Sequence, residues 1–253
     1  MNKQDIQEKV LKARLQRFLN NCYSMDAIEY CTDCWQKDDE FVFSWEDHGI
    51  QRLTFFVKDW HALDELLKLI DNGRYFLEFM TKDPQEYIPA GLNRVAGMMR
   101  LANADCRSVF ESDSPVLQYK DPTIGQQAEE QDVKEINQIL WSTFHTEISH
   151  LLTDEELEQK IAQFTVHKTH NTIDALLQAE ILPKKFYINQ IVNKGEKKNI
   201  HGILLNKLEG YVSGGGKYLY AWVEDRNIAS QKFHQKYGMK HDGMWNMLYC
   251  LEK

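Results

Sequence analysis

The order of segments between Phe164 and Glu252 limits the possible folds more than any other feature of this sequence. FTVHK, TIDALLQAE and FYINQIVN read as strands, the last two joined by the turn Leu182-Pro183-Lys184-Lys185. Next comes a helix from Ile200 to Val212 with an apolar face at Ile200, Ile203, Leu204, Leu208, Tyr211 and Val212, ended by Ser213-Gly214-Gly215-Gly216. KYLYAWV is then a strand, Asn227–Tyr237 a helix closed by Gly238, and MWNMLYCLE a last strand. A helix between two strands forces a crossover, so a parallel pair must sit in a sheet that hairpins otherwise make antiparallel. The expected class is α+β with a mixed twisted sheet and flanking helices.

The rest of the chain extends the pattern. Ile6, Val10, Leu11, Leu15, Phe18 and Leu19 mark an amphipathic helix, and EFVFSW and IQRLTFFVK form a hairpin around Glu46-Asp47-His48-Gly49. A helix with Leu63, Leu66, Leu67 and Ile70 on one face precedes the strand RYFLEFMT, and the spacing predicts another helix over Leu92–Ala102. The polar stretch from Ser112 to Pro122 marks a boundary, giving domains 1–117 and 118–253. TIGQQA then reads as a short strand. Helices are expected around Val133–Phe144 and Asp154–Ala162, the second opened by a Thr153/Glu156 capping box. Both halves run hairpin, helix, strand, helix, strand, the order of a diverged internal duplication.

Composition excludes several classes of function. A net charge of -8 in 253 residues argues against a nucleic-acid partner, because such binding rests on neutralising phosphates. No apolar run reaches the ~18 residues of a membrane span, and the charged N-terminus carries no export signal. Five cysteines form no even framework, which fits a reducing, cytoplasmic setting. Cys31 and Cys34 have metal-like spacing without a second pair, and His145 and His150 lie five apart on different helix faces. Neither is read as a metal site.

The richest stretch is YLYAWVEDRNIASQKFHQKYGMKHDG. Within its helix Ala229, Phe233 and Tyr237 form one stripe, and Asn227, Ser230 and His234 a polar one beside it. Asn227-x-x-Ser230-x-x-Phe233-His234-x-Lys236-Tyr237-Gly238-Met239 resembles the second signature of the GCN5-related N-acetyltransferases, N-x-x-A-x-x-L-Y-x-K-x-G-F. Glu196-Lys197-Lys198-Asn199-Ile200-His201-Gly202-Ile203 occupies the place of that family's coenzyme A loop, R-G-x-G-x-G. Glu196 stands at its arginine, and Asn199 and His201 at its two later glycines. The resemblance covers the second half, most strongly from Phe186 to Gly243, and the N-terminal part reads as a degenerate copy in a tandem arrangement.

This resemblance implies transfer of an acetyl or other acyl group from acyl-coenzyme A to an amine of a small molecule or peptide, with acetyl-CoA as co-substrate and no metal. The main chain at Ile191, Val192 and Asn193 would hold the donor. Lys197, Lys198, Asn199, Ile200, His201, Gly202 and Ile203 would take its pyrophosphate at the helix N-terminus, and Asn227 and Ser230 would line it. His234 stands at the family tyrosine that protonates the departing thiolate, a role histidine also fills near neutral pH. The positions of the family's base hold Lys185, Tyr187 and Asn189, so no base is named. Plainer roles compete: Asn227 as a helix cap, His234 as a surface histidine, Lys194–Lys198 as a solvated turn. The alternative function is a fold without catalysis, serving binding or assembly. For the N-terminal part, the expectation is a homodimer contact or a wall of the acceptor cleft.

Overall fold

A computed structural model describes residues 3–23 and 25–253. They divide into two compact units, unit 1 of residues 1–98 with 244–253, and unit 2 of residues 99–243.

Unit 1 begins with α1 (Lys3–Leu15), β1 (Leu19–Asn20) and α2 (Asp26–Glu29), followed by β2 (Cys31–Lys37), β3 (Glu40–Asp47) and β4 (Ile50–Val57). The helix α3 (Trp60–Leu69) and β5 (Arg74–Thr81) come next, then the strand β6 (Asn93–Asn103), whose last residues belong to unit 2. Unit 2 continues with β7 (Gln126–Gln127), α4 (Val133–Thr143), α5 (Asp154–Gln159), β8 (Phe164–Thr169), β9 (Thr172–Leu182) and β10 (Lys185–Asn193). It ends with α6 (Lys197–Ser213), β11 (Tyr218–Glu224), α7 (Ile228–Gln235) and the start of β12 (Lys240–Glu252), which finishes in unit 1.

In unit 1 the strand order is β2-β3-β4-β5-β12, antiparallel except for β4 and β5, which are parallel and joined across α3. Leu53, Phe55, Val57 and Leu77 face α3 residues Leu63, Leu66 and Leu67, while Phe41, Phe43 and Phe56 face Ile6, Val10 and Ile28 of α1 and α2. Successive side chains point to opposite faces, so each strand fills both layers.

Unit 2 has the order β6-β11-β10-β9-β8-β7, with β10 and β11 parallel across α6. Phe186, Ile188, Leu219, Ala221 and Val223 pack with Ile203, Leu204 and Leu208 of α6. On the other face Leu176, Val192 and Phe164 meet Ile136, Leu140 and Leu157 of α4 and α5. These are the mixed sheet and flanking helices expected from the sequence.

Three sequence expectations meet a different structure here. The first helix ends at Leu15, with Leu11 and Leu15 exposed and Leu19 already in β1, because Ala13 rather than those leucines completes its buried face. Residues 93–103, expected as a helix, form strand β6. Ala, Met and Leu favour helix by a few tenths of a kcal/mol each, and pairing within a sheet outweighs that preference. The segment 112–122, where the sequence sets its boundary, lies inside unit 2 because Val116, fully buried, and Tyr119 join that unit's core.

Candidate functional site

The parallel pair of unit 2 is the centre of the site. β10 and β11 share four partner pairs, Lys185↔Tyr218 through Ile188↔Ala221, and their pairing ends there. β10 keeps its antiparallel partner: Gln190 through Asn193 pair with Gln178 through Ala175 of β9. The two strands therefore open as a V whose arms are residues 189–193 and 222–224.

A bulge at Asn189 opens it. Ile188 pairs with Ala179 and Gln190 with Gln178, which leaves Asn189 as an extra residue. The side chains record the shift. Phe186 and Ile188 face α6, and so does Ile191, three residues on, while Val192 turns to the α4 face. A second bulge carries Asp174 in β9, between Ile173 paired with Lys168 and Ala175 paired with His167.

The loop from β10 into α6 is fixed by Asp174. Its carbonyl accepts from the amides of Lys194 (2.7 Å) and Gly195 (3.0 Å), and its carboxylate from Thr169 Oγ1 and Asn199 Nδ2. Gly195 is needed here, because a Cβ would stand 2.8 Å from Asp174 Oδ2. Glu196 is the N-cap of α6 but makes no side-chain cap bond. The first amides of the helix, at Lys197 and Lys198, have no carbonyl one turn earlier to bond, and both lysine side chains are exposed. That end of α6 is an anion-attracting terminus with added positive charge.

Several residues assigned to the pyrophosphate are placed otherwise. The side chain of His201 lies in the core, between the rings of Tyr119 (4.5 Å) and Phe233 (4.8 Å), with Nδ1 2.8 Å from Tyr237 Oη. Burial pushes its pKa down to about 4, helped by the charges of Lys236 and Lys197. Ile200 and Ile203 are core residues, and Gly202 is small because a Cβ there would meet Ile124 at 2.8 Å. Amides at positions 201 and 202 lie beyond the first turn of α6, where helical bonding uses them. The range Lys197–Ile203 therefore divides: the first-turn amides at Lys197 and Lys198 are free of helical bonding, and the side chains of Ile200, His201 and Ile203 lie in the core. Asn199 is buried in the first turn, but its amide nitrogen is bound to Asp174.

The polar stripe of α7 is knitted along its own helix. Asn227 Oδ1 caps α7 by accepting from the Ser230 amide at 3.0 Å. The Ser230 carbonyl lies 2.8 Å from His234 Nδ1 and only accepts, so Nδ1 carries the proton. His234 is 4% exposed, and its Nε2 is a buried acceptor with no hydrogen-bond partner among the described residues. Burial lowers its pKa to about 4, with the Ser230 bond opposing. A neutral ring whose only proton faces a carbonyl has none to give at Nε2, so His234 does not have the geometry of the thiolate acid. Burial at the base of α7, invisible in the motif, makes the difference.

Four of the six buried, unpartnered side-chain polar atoms among the described residues belong to these elements: Asp174 Oδ1, Gln190 Oε1, Asn199 Oδ1 and His234 Nε2. Buried polar atoms are normally satisfied, so these four are exceptions, and all lie on elements around the V. Sequence reasoning missed Asp174 and Gln190. The only hint was a charged residue and an amide inside strand patterns that otherwise fill with apolar side chains.

No protein-family model and no curated protein matches the chain. Solved structures do match in fold. A GCN5-related N-acetyltransferase from Sphaerobacter thermophilus is 10% identical, with 83% of this chain and 76% of that one covered at a TM-score of 0.55. A GNAT-family acetyltransferase from Colwellia psychrerythraea is 11% identical, covering 85% and 81% at 0.51. A tandem GNAT protein from the clavulanic acid biosynthesis pathway is 10% identical, covering 85% and 81% at 0.51. With its mixed open sheet and a parallel pair that parts at a bulge, this chain has the fold of the GCN5-related N-acetyltransferases.

Proposed function

We propose that unit 2 binds an acyl-coenzyme A and transfers its acyl group to an amine. One observation carries this: β10 and β11 part after Ile188 and Ala221 beside the uncapped N-terminus of α6. A strand end without a neighbour exposes main-chain donors and acceptors that need partners. The pantetheine arm of coenzyme A has two amides and a hydroxyl, which suit the main chain at Ile191–Asn193. Lys197 and Lys198, with the first amides of α6, suit a pyrophosphate. Asn227 caps the Ser230 amide and Ser230 holds the His234 ring, so both shape the start of α7 rather than touch the donor.

In the reaction a neutral amine attacks the thioester carbon to form a C–N bond, the C–S bond breaks, the nitrogen gives up a proton to solvent, and the thiolate takes one. A thiol pKa of about 8.5 makes the thiolate a moderate base, so solvent suffices for that last step. His234, buried and with no proton to give at Nε2, takes no part in that step. A second reading, donor binding without transfer, is favoured by that same lack of a proton at Nε2.

Acetyl-CoA should raise the melting temperature, since a ligand bound only by the native state must stabilise it. Release of coenzyme A in a screen of amines then separates transfer from binding alone. His234→Ala should leave kcat on a verified acceptor little changed, since the thiolate takes its proton from solvent. Failure of any coenzyme A derivative to shift the melting temperature would remove the whole proposal.

A further inference from the structure

Unit 1 contains a V of the same construction. Its parallel pair, β4 and β5, shares only Arg52↔Phe76 and Leu53↔Leu77 before the strands part. Here the opening is filled by the chain itself. β1 pairs antiparallel with the end of β4, Leu19 with Val57 and Asn20 with Phe56. The next residue, Asn21, is buried at 6% exposure and bridges both arms. Its Nδ2 donates to the carbonyls of Leu53 (2.9 Å) and Glu78 (2.7 Å), and its Oδ1 accepts from the Phe55 amide at 2.8 Å. Farther along β5, the Met80 amide donates to Tyr23 Oη at 2.8 Å.

We infer that Leu19–Tyr23 is a built-in occupant of the unit 1 V, so that unit 1 takes no acyl-CoA and each chain carries a single donor site. The chemistry of the match is direct. A carboxamide offers the same carbonyl acceptor and N–H donor as the amides of a pantetheine arm, and Asn21 uses both against the main-chain groups that such an arm would need. A ligand entering this V would have to break three hydrogen bonds to Asn21 and the β1 pairing, and would gain only equivalent bonds. In unit 2, among the described residues, no side-chain hydrogen bond joins the two arms. The donor count rests on the function proposed for unit 2, but the plug does not.

Hydrogen exchange tests the plug without any ligand. Asn21→Ala should speed exchange of the Phe55 amide at least about tenfold, the loss of one buried hydrogen bond. Tyr23→Phe, a milder change that guards against misfolding of the first variant, should speed Met80 and leave Phe55 as it was. Unchanged Phe55 and Met80 exchange in these variants overturns the plug. Calorimetry with coenzyme A on the intact chain should give one site, lost or weakened by Lys197→Glu/Lys198→Glu and retained in Tyr23→Phe. Two sites in the parent chain, or slowed Met80 exchange on adding coenzyme A, overturns the inference. No coenzyme A binding at all, with the exchange results as expected, sinks the function proposed for unit 2 and the donor count, and leaves the plug standing.

Discussion

Units 1 and 2 each build an antiparallel meander, a crossover helix and a parallel pair that opens into a V, yet they finish these parts differently. In unit 1 the crossover helix α3 is capped: Asp59 accepts from the Ala62 amide at 2.9 Å, so a carboxylate already answers the helix N-terminus. In unit 2 the N-cap residue Glu196 turns to Lys198 at 3.2 Å instead, and makes no cap bond. The unit 1 V is bridged by Asn21, and the unit 2 V is flanked by buried polar atoms without partners. One backbone plan thus serves two ends. Unit 1 satisfies its strand ends and helix terminus from within, and unit 2 leaves its helix terminus uncapped and its strand ends unbridged.

The units should also differ most under acid. Unit 2 buries His201 and His234, each held near pKa 4 against a usual 6.5, whereas His48 and His61 of unit 1 are exposed. Between those values the unfolded chain binds the protons that the fold refuses. Stability from these rings is therefore complete above about pH 6.5 and falls as the pH drops toward 4, by roughly 3 kcal/mol for each. Amides of unit 2 should lose exchange protection before those of unit 1 as the pH falls from 7 to 4.5. Replacing both, as His201→Phe/His234→Asn, should flatten the difference between the denaturation midpoints at those two pH values. Equal loss in both units, or an unaltered slope in the double variant, would break the contrast.

Charge reversal at the helix ends sharpens it next. Lys197→Glu/Lys198→Glu should weaken coenzyme A binding at least about tenfold at low salt, because two unit charges about 4 Å apart interact by about 1 kcal/mol even in bulk water and each reversal turns attraction into repulsion. Raising the salt should shrink the effect. Lys58→Glu, beside the corresponding helix of unit 1, should leave calorimetric affinity where it was. The smallest expected effect is on the caps themselves. Asp59→Ala should cost about 1 kcal/mol of stability, read from urea unfolding, and Glu196→Ala close to none. Equal costs would mean that the two helix starts are alike after all.

Much of this was legible in the residues. The turn at Leu182–Lys185, the Thr153/Glu156 capping box and the strand–helix–strand run through α6 and β11 all appear where local propensity and periodicity put them. Asn227 sits at its helix start for the same reason, since a short side chain that bonds three residues ahead needs only local geometry. The basic run at Lys197 and Lys198 was equally visible, although the structure puts both in the first turn of α6 rather than in the turn before it. These features are decided within a few residues of chain, so sequence by itself determined the class of fold and the starts of α4, α5 and α7.

Tertiary structure decided what no local pattern encodes. Residues 93–103 became a strand because neighbouring strands offered partners worth more than a weak helical preference. His201, which spacing put at a phosphate, went into an aromatic stack once α6 began at Lys197, and His234 lost its spare proton to the carbonyl of Ser230. Asn21 shows the division most clearly: its partners lie 32 to 57 residues away, on strands whose parting depends on the whole of unit 1. A side chain's burial, tautomer and distant partners are properties of the packed chain, because desolvation and hydrogen-bond competition act through space and leave no mark on the neighbouring letters.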